Sequence, residues 1–369
     1  MDSATVVPAH LAKPLSLEPF RASLLNPARV GDPRAVRTIA RPYPDPQSRR
    51  TAWEGDGLVQ VMPTDALYLH EYTTGGLTVR GLVGALRLTH RAGAGEEEGL
   101  LPHERIHPHQ ALDLAAKMEA IALNPAPILL SMRPRSAYRA LLAVVSTGTP
   151  LSVFTDRYGQ HHRIWAVPPG ALEHELRAEV AATSCMVADG HHRYAAYLQL
   201  AERHPGTGWD LGLAMLVDQN DTPFFLGPIH RILRGTVLAN LIDRARRLDV
   251  DAHLCGRQAA VDTLPHGRIV ATDGREWVSL TPPQDSGKLL VEWLHQELVP
   301  DLPPDAITYH HTLDDALRTT TTHDTAIILP APSYAAVATV VTAGRLLPEK
   351  ATSFQPKPTL GVIMRQIQH

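Results

Sequence analysis

The stretch that most constrains the fold is residues 185–200, CMVADGHHRYAAYLQL. It opens with a short apolar run suited to a buried strand and then turns at Asp189-Gly190. Beyond the turn, apolar side chains recur with the spacing of an amphipathic helix, at Tyr194, Tyr197, Leu198 and Ala201. The stretch therefore predicts a strand, a glycine turn and a helix, in that order.

The first turn of the predicted helix is cationic, with His191, His192 and Arg193 in succession. Cations are disfavoured there, because a helix N-terminus already carries partial positive charge and unpaired N–H groups. An anion would complete such a site, and a strand followed by a glycine turn and a helix start is a common phosphate cradle. The alternative is a solvated helix end with two surface histidines. The local pattern leaves both interpretations open.

Short predicted strands and helices alternate along the chain, which indicates an α/β or α+β fold with mixed sheets. A polar, glycine-bearing loop at residues 91–99 and a change of character near Thr236 suggest boundaries between domains. We therefore expect three parts, residues 1–99, 100–235 and 236–369. The proline-rich segment that follows residues 17–21 and extends through residues 41–46 predicts extended chain and turns, without a regular helix.

Charge and cysteine content exclude several classes of protein. The 35 Lys and Arg residues nearly balance 38 Asp and Glu residues, which argues against a general nucleic-acid surface. Cys185 and Cys255 cannot form a disulfide framework, so we expect a reducing cytoplasm. We find no signal peptide, no apolar run long enough for a bilayer, and neither a P-loop nor a Rossmann fingerprint. The oligomeric state stays open.

Glu104 is a candidate for acid–base chemistry. It lies just before a predicted helix, in a loop with Pro102 and His103. A carboxylate there can take a proton from a hydroxyl held within hydrogen-bond reach. It can equally be a helix-start acid that interacts favourably with the macrodipole.

The 20 histidines raise the question of a metal site. Several lie close together in sequence, namely His103, His107 and His109, and the pairs His161-His162, His191-His192 and His310-His311. Neither HExxH nor a CxxC pair accompanies them, so the spacing matches no closed zinc pattern. We interpret most of them as surface or polar-network residues.

A third candidate is the C-terminal segment, where Lys350, Thr352 and Ser353 follow Pro348. A lysine with adjacent hydroxyls can hold a phosphate or a carboxylate. The same residues also fit an ordinary exposed loop.

Residues 188–194, ADGHHRY, resemble the turn with which members of the ParB/sulfiredoxin superfamily hold nucleotide phosphates. Over nearly the whole chain, the order of motifs resembles a bacterial domain-of-unknown-function family, number one thousand and fifteen. The motifs are Pro19-Phe20-Arg21, Leu67-Tyr68, Pro102-His103-Glu104, ADGHHRY, Pro228-Ile229-His230-Arg231 and the closing residues 348–361. The resemblance implies a ParB/sulfiredoxin-like nucleotide-binding core at 100–235, an N-terminal module packed on it, and a C-terminal α/β domain that contributes to the substrate site.

The same order is similar to the free-serine kinases of that superfamily, through His103-Glu104, residues 190–193 and Lys350-Ala351-Thr352. This resemblance implies a kinase that moves a phosphoryl group from ATP or ADP to the hydroxyl of free serine or a related hydroxy amino acid, with Mg²⁺. Glu104 would be the general base, and Asp189 would bind Mg²⁺ directly or through water. The implied donor-binding residues are Asp189, Gly190, His191, His192 and Arg193, with His191 also near the chemistry. The implied substrate-binding residues are His103, His230, Arg231, Lys350 and Thr352.

The chain departs from the family pattern in its tail, where Glu349 replaces a proline and Ala351 replaces a serine or threonine. These departures leave the acceptor open. Two other hypotheses remain: a ParB-like regulator that binds CTP or ATP without kinase activity, and a metal-dependent hydrolase built on the histidines. We expect no membrane or nucleic-acid partner.

Overall fold

The computed structural model describes residues 5–41, 46–132, 135–283 and 287–367, and these form two compact units. The inserted unit comprises residues 103–105 and 225–355. The split unit comprises the described residues of 5–102, 106–224 and 356–367, so the chain leaves it after Phe224 and returns at Pro356. The limits of these units differ from the predicted division into 1–99, 100–235 and 236–369, which stays a prediction.

Most strands are short. In chain order they are β1 (Leu11–Ala12), β2 (Leu17–Glu18), β3 (Ala22–Leu25), β4 (Val59–Val61), β5 (Leu67–Thr74), β6 (Leu77–Arg87), β7 (Glu98–Leu101), β8 (Leu123–Asn124), β9 (Ile128–Met132), β10 (Ser152–Thr155), β11 (His161–Val167), β12 (Cys185–Asp189), β13 (Leu211–Asp218), β14 (Phe225–Gly227), β15 (His230–Leu233), β16 (Asp251–Cys255), β17 (Ile269–Thr272), β18 (Trp277–Thr281), β19 (Ile307–His310), β20 (Thr325–Ile328), β21 (Ser353–Gln355) and β22 (Met364–Gln366).

The helices alternate with these strands. They are α1 (Pro33–Ile39), α2 (Pro46–Gly55), α3 (Pro108–Ile121), α4 (Ser136–Ser146), α5 (Ala171–Ala181), α6 (His191–Arg203), α7 (Leu238–Arg247), α8 (Arg257–Val261), α9 (Leu290–Trp293), α10 (Leu313–Thr319) and α11 (Tyr334–Thr342). A π-helical turn, Leu294–Leu298, continues α9. Within the described ranges, no helix is both long and apolar enough to cross a membrane.

The split unit is built on a mixed ten-stranded sheet of order β1-β7-β12-β9-β13-β6-β5-β11-β10, with β2 paired to β6. Strand β12 runs parallel to β7 and antiparallel to β9, and β13 runs parallel to β9 and antiparallel to β6. A second sheet has the order β4-β3-β22-β8. The combination of mixed sheets and helices confirms the expected α+β class.

The inserted unit has its own antiparallel sheet, of order β16-β18-β17-β20-β15-β19, and a separate pair, β14-β21. A core of Ile232, Val270, Ala326 and Ile328, among others, packs one face of this sheet against partly buried side chains that include Leu313. Each unit therefore has a hydrophobic core of its own.

The proline-rich N-terminal segment is more helical than predicted. Helix α1 begins at Pro33, directly after Asp32, whose side chain accepts a hydrogen bond from the Arg34 backbone N–H at 2.9 Å. Helix α2 begins at Pro46. Proline suits the first position of a helix, because the N–H that it lacks has no intrahelical acceptor there. The expectation of extended chain was therefore wrong on both sides of residues 42–45, which lie outside the described residues.

Candidate functional site

The predicted strand, turn and helix around Asp189 are present as β12, Gly190 and α6. Gly190 adopts the left-handed conformation, with φ 96° and ψ 31°. A Cβ atom at this position would lie 3.0 Å from Ile128 Cγ2 and 3.1 Å from Arg193 Nε. Both the positive φ and the lack of room for a Cβ atom therefore favour glycine at this position. The turn places the N-terminus of α6 next to the C-terminal end of β12.

The Arg193 guanidinium donates hydrogen bonds to other groups of the protein. One Nη atom donates to the carbonyl oxygens of Ala126 and Pro127, at 3.2 and 2.8 Å, and the other donates to Asp189 Oδ2 at 2.8 Å. The cationic helix start predicted a nearby anion. Asp189, four residues before Arg193, provides part of that negative charge. Arg193 also ties the segment before β9 to the turn.

The second oxygen of Asp189 has a partner that sequence reasoning missed. Lys357 Nζ donates to Asp189 Oδ1, although the two residues are 168 positions apart. The Lys357 side chain is 45% exposed. The sequence feature that could have pointed to Lys357 is its position between Pro356 and Pro358, because the two prolines restrict the backbone on both sides.

The charges at this turn do not cancel. One carboxylate faces two cations, Lys357 and Arg193, at the N-terminus of a 13-residue helix. Burial raises the pKa of the Asp189 carboxyl, but the Lys357 ammonium and the Arg193 guanidinium outweigh it and hold that pKa below its ordinary value of 3.8. Asp189 is therefore ionised at neutral pH, and a surplus positive charge remains beside the helix N-terminus, where the helix dipole adds partial positive charge.

A strap, defined here as residues 356–359, holds Lys357 in place. Tyr72 Oη donates to the Pro356 carbonyl at 3.0 Å, and Gln160 Nε2 donates to the Lys357 carbonyl at 3.1 Å. The Thr359 backbone N–H donates to Gln160 Oε1 at 3.0 Å, and its hydroxyl donates to buried Asp156. The backbone on each side of the Lys357 side chain is thus anchored to the sheet.

The two histidines of the helix start lie in different settings. His191 is buried, and His192 Nε2 accepts a hydrogen bond from the His107 backbone N–H at 3.2 Å. The rings of His107 and His192 stack with centroids 6.5 Å apart. For His192 and His107, the interpretation as polar-network residues agrees with the structure.

Glu104, His103 and Thr352 meet within the inserted unit. Glu104 Oε1 accepts hydrogen bonds from the Thr352 backbone N–H at 2.8 Å and from its hydroxyl at 2.6 Å. His103 Nε2 lies 3.0 Å from the same hydroxyl oxygen. Glu104 also forms an isolated parallel bridge with Leu347, and it is only 8% exposed. Motifs far apart in sequence are therefore brought together around one carboxylate.

Arg231 joins a second pair of predicted residues. It is 1% exposed, and it donates to the Ile229 and Lys350 carbonyl oxygens, the latter at 2.7 Å. Its guanidinium carbon lies 5.5 Å from the centroid of the Tyr309 ring. Lys350 has a positive φ of 53° and an exposed side chain, so it is the backbone of this residue that takes part in the contact.

The contacts of Asp189 also bear on metal binding. Among the residues that the structure describes, no three His, Cys, Asp or Glu side chains are grouped as ligands for a metal ion. Each oxygen of Asp189 already bonds to a cationic side chain. In this arrangement Asp189 does not fit a direct Mg²⁺ ligand, because the ion would have to displace Lys357 or Arg193.

The predicted site residues therefore form two groups, each within one unit. Asp189, Gly190, His191, His192 and Arg193 lie with Lys357 in the split unit. The inserted unit holds the others: His103, Glu104 and Thr352 in one cluster, and His230, Arg231 and Lys350 around the start of β15.

Solved structures with partial similarity to the chain include a free serine kinase in complex with AMP, at 15% identity and a TM-score of 0.40, covering 69% of this chain and 83% of that one. SbnI with a C-terminal truncation, from Staphylococcus aureus, is 15% identical with a TM-score of 0.44, covering 75% and 84%. A conserved hypothetical protein from Pyrococcus furiosus is 15% identical with a TM-score of 0.38, covering 71% and 90%. Similarity at this level carries no inference about function.

No curated protein has a significantly similar sequence. The sequence of residues 21–308 matches the family described as "Protein of unknown function (DUF1015)". The match includes β12, Gly190 and α6 as well as Glu104 and β15. Because it covers well over half of the 369 residues, the protein belongs to this family.

Proposed function

We propose that the Asp189 turn binds the phosphates of a nucleotide, ATP or ADP. The observation that carries this proposal is the surplus cation at the start of α6, where Lys357 and Arg193 share the single carboxylate of Asp189. Helix N-terminal N–H groups with an adjacent positive charge suit a phosphate. Lys357 is partly exposed, so it is the cation best able to move from Asp189 to a phosphate oxygen.

We further propose that the protein is a small-molecule kinase with free serine or a related hydroxy amino acid as acceptor. Phosphoryl transfer depends mainly on positioning and charge neutralisation, and Mg²⁺ bound with the nucleotide contributes to the latter. Glu104 is the proposed general base. Its carboxylate is oriented by two donors from Thr352, and the near-complete burial of Glu104 shields it from water.

A direct assay tests the activity. Purified protein is incubated with Mg²⁺, each of ATP, ADP and CTP, and a panel of hydroxy amino acids, and phosphorylated products are identified by mass spectrometry. We expect phosphorylation of at least one acceptor with ATP or ADP. If no hydroxy amino acid is phosphorylated with any donor, the kinase proposal fails.

The same assay separates the kinase from the regulator. Nucleotide binding without turnover, together with a DNA mobility shift, would support a ParB-like regulator instead. It would leave the phosphate-binding role of the Asp189 turn intact while overturning the catalytic role of Glu104.

The base is tested with Glu104→Gln. The amide oxygen still accepts hydrogen bonds from Thr352 but cannot take a proton, so we expect the turnover rate to fall by about 10²- to 10⁴-fold with little change in nucleotide affinity. Glu202→Gln, at a side chain that is 62% exposed, serves as the matched control. Full activity of the Glu104 variant would show that the base is another group.

A further inference from the structure

The inserted unit contains a cavity of about 680 Å³ that none of the proposed roles uses. Its wall is mostly aliphatic, with Leu289, Val291 and Leu329 among the lining side chains. A volume in this range is typical of sites for small organic molecules, and such sites combine an apolar wall with a few placed polar groups.

His230 is the polar group that distinguishes this wall. It lines the cavity and is only 4% exposed. Its Nδ1 accepts a hydrogen bond from the Leu329 backbone N–H at 3.3 Å, so in the neutral ring the proton is on Nε2. Burial, with Arg231 nearby, lowers the pKa of His230 to about 4, so the ring is neutral at pH 7.

The Nε2–H group of His230 has no hydrogen-bond acceptor among the described residues. A donor at an apolar wall is unfavourable unless an acceptor satisfies it. Arg231, the other polar residue of the wall, uses its two Nη groups on the Ile229 and Lys350 carbonyls. Both Nη groups are therefore committed to the protein framework, and Arg231 Nε is buried without a partner among the described residues. We assign His230 Nε2, on the cavity wall, as the donor to a ligand.

We propose that this cavity binds a small, mainly apolar molecule that carries an acceptor oxygen, with that oxygen hydrogen-bonded to His230 Nε2. Free serine matches the cavity poorly, because it has two charges and almost no apolar surface. The site therefore differs from the amino-acid site that the family resemblance implied for His230. It does not rest on the proposed kinase activity.

Ligand-observed NMR with a matched set of probes tests the chemistry. The probes are 4-phenylbutan-2-one, 4-phenylbutanoate, 4-phenylbutylammonium and L-serine, each added to the full chain without nucleotide. We expect the ketone to bind. If the carboxylate binds as well, carboxylic acids are also ligands whose acceptor oxygen reaches His230. The proposal is overturned if neither oxygen compound binds, if the ammonium compound binds equally well, or if serine alone binds.

Two substitutions at His230 separate its two nitrogen atoms. In His230→Asn the amide can replace Nδ1 as acceptor for the Leu329 N–H but provides nothing at the position of Nε2. In His230→Gln the longer side chain can return a donor near Nε2. We expect ketone affinity to fall about tenfold in the first variant and to stay within about threefold of wild type in the second, as for one neutral hydrogen bond. Unchanged affinity in His230→Asn would overturn the assignment.

A third variant does not disturb His230. Ala331 lines the cavity and is exposed, so Ala331→Trp adds bulk at the rim without entering the core. We expect it to abolish ketone binding while its thermal unfolding midpoint stays near that of wild type. Retained binding would place the ligand elsewhere. ATP titration of the same variants tests the Asp189 turn separately, so the two proposals can fail independently.

Discussion

The Asp189 carboxylate lies between two cationic side chains, Arg193 and Lys357, which differ in their other hydrogen bonds. Arg193 also holds two backbone carbonyls of the segment before β9, so its side chain is part of the framework. The Lys357 ammonium donates to Asp189, and its side chain is partly exposed. Removing Lys357 therefore changes the charge at the turn with little loss of packing, whereas removing Arg193 changes both.

The first prediction concerns Lys357. We expect Lys357→Ala to weaken ATP binding at least about tenfold, because a hydrogen bond to a charged group contributes about 1.5–3 kcal/mol. Isothermal titration calorimetry measures the affinity. Lys357→Arg keeps the charge and should recover part of it, and Lys117→Ala, at an exposed position of α3, should bind as wild type does. Equal affinities of Lys357→Ala and wild type would remove Lys357 from the site.

The second prediction concerns Gly190. We expect Gly190→Ala to lower the free energy of unfolding by about 1–3 kcal/mol, through its positive φ and the close approach of the new Cβ to Ile128. Gly206→Ala is the matched control, because Gly206 also has a positive φ, of 77°, but nothing within 4 Å of the added atom. Urea denaturation gives both values. If the two variants are equally destabilised, the contact with Ile128 contributes nothing.

At the scale of elements, the strap carries Lys357 to the turn. Asp156 at the end of β10 accepts from the Thr359 hydroxyl and also lies 3.3 Å from His162 Nε2. Burial raises the pKa of Asp156, but the hydrogen bonds from Thr359 and from the Gln160 backbone outweigh it and lower that pKa below 3.8. The strap thus depends on a buried carboxylate that stays ionised.

The third prediction follows from this anchor. We expect Thr359→Val to lower the free energy of unfolding by about 1–3 kcal/mol, since Asp156 loses a donor in a buried setting. ATP affinity should fall as well, because Lys357 is two residues away. Thr359→Ser keeps the hydroxyl and should restore both quantities, which are measured by urea denaturation and calorimetry. Loss of stability without loss of affinity would mean that Lys357 does not depend on the strap.

Sequence predicts the elements whose own residues show a clear apolar pattern. It does not predict the elements that depend on pairing with other parts of the chain. The β12–α6 unit has an apolar run followed by periodic apolar residues, and it is present as predicted. Strand β16 was missed because it is an exposed edge strand that pairs with β18 alone, so its sequence shows no buried face. The contact between Glu104 and Thr352 joins residues 248 positions apart, so no local pattern could predict it. The family resemblance implied that both are site residues but did not imply their contact.

At the scale of the whole molecule, both units contain buried neutral histidines. In the split unit, His70 Nε2 lies 3.1 Å from His162 Nδ1, and burial lowers the pKa of both rings. In the inserted unit, burial lowers the pKa of His230 to about 4 and that of His295 to about 3, and Arg231 adds to both shifts. Protonation of any of these rings therefore opposes folding.

The fourth prediction is acid sensitivity. A histidine whose folded pKa lies below its unfolded value of 6.5 contributes stability that is present above pH 6.5 and is lost as the pH falls toward the folded pKa. For His230 alone we expect a loss of about 2 kcal/mol between pH 7 and pH 5. Urea denaturation at several pH values measures it, and His230→Asn should lose correspondingly less. Stability that is constant from pH 7 to pH 5 would contradict this account.

Strand β22 lies between β3 and β8, and this position has a consequence for the timing of synthesis. Residues 123–124 of β8 leave the ribosome about 240 residues before residues 364–366 of β22 (364 minus 124). At about 5–20 residues per second, β8 waits roughly 12 to 48 seconds, and the earlier β3 longer, for the strand that joins them. During that interval residues 225–355 of the inserted unit are made. The split unit is thus begun first and finished last, and the strap that presents Lys357 is among its last parts to be synthesised.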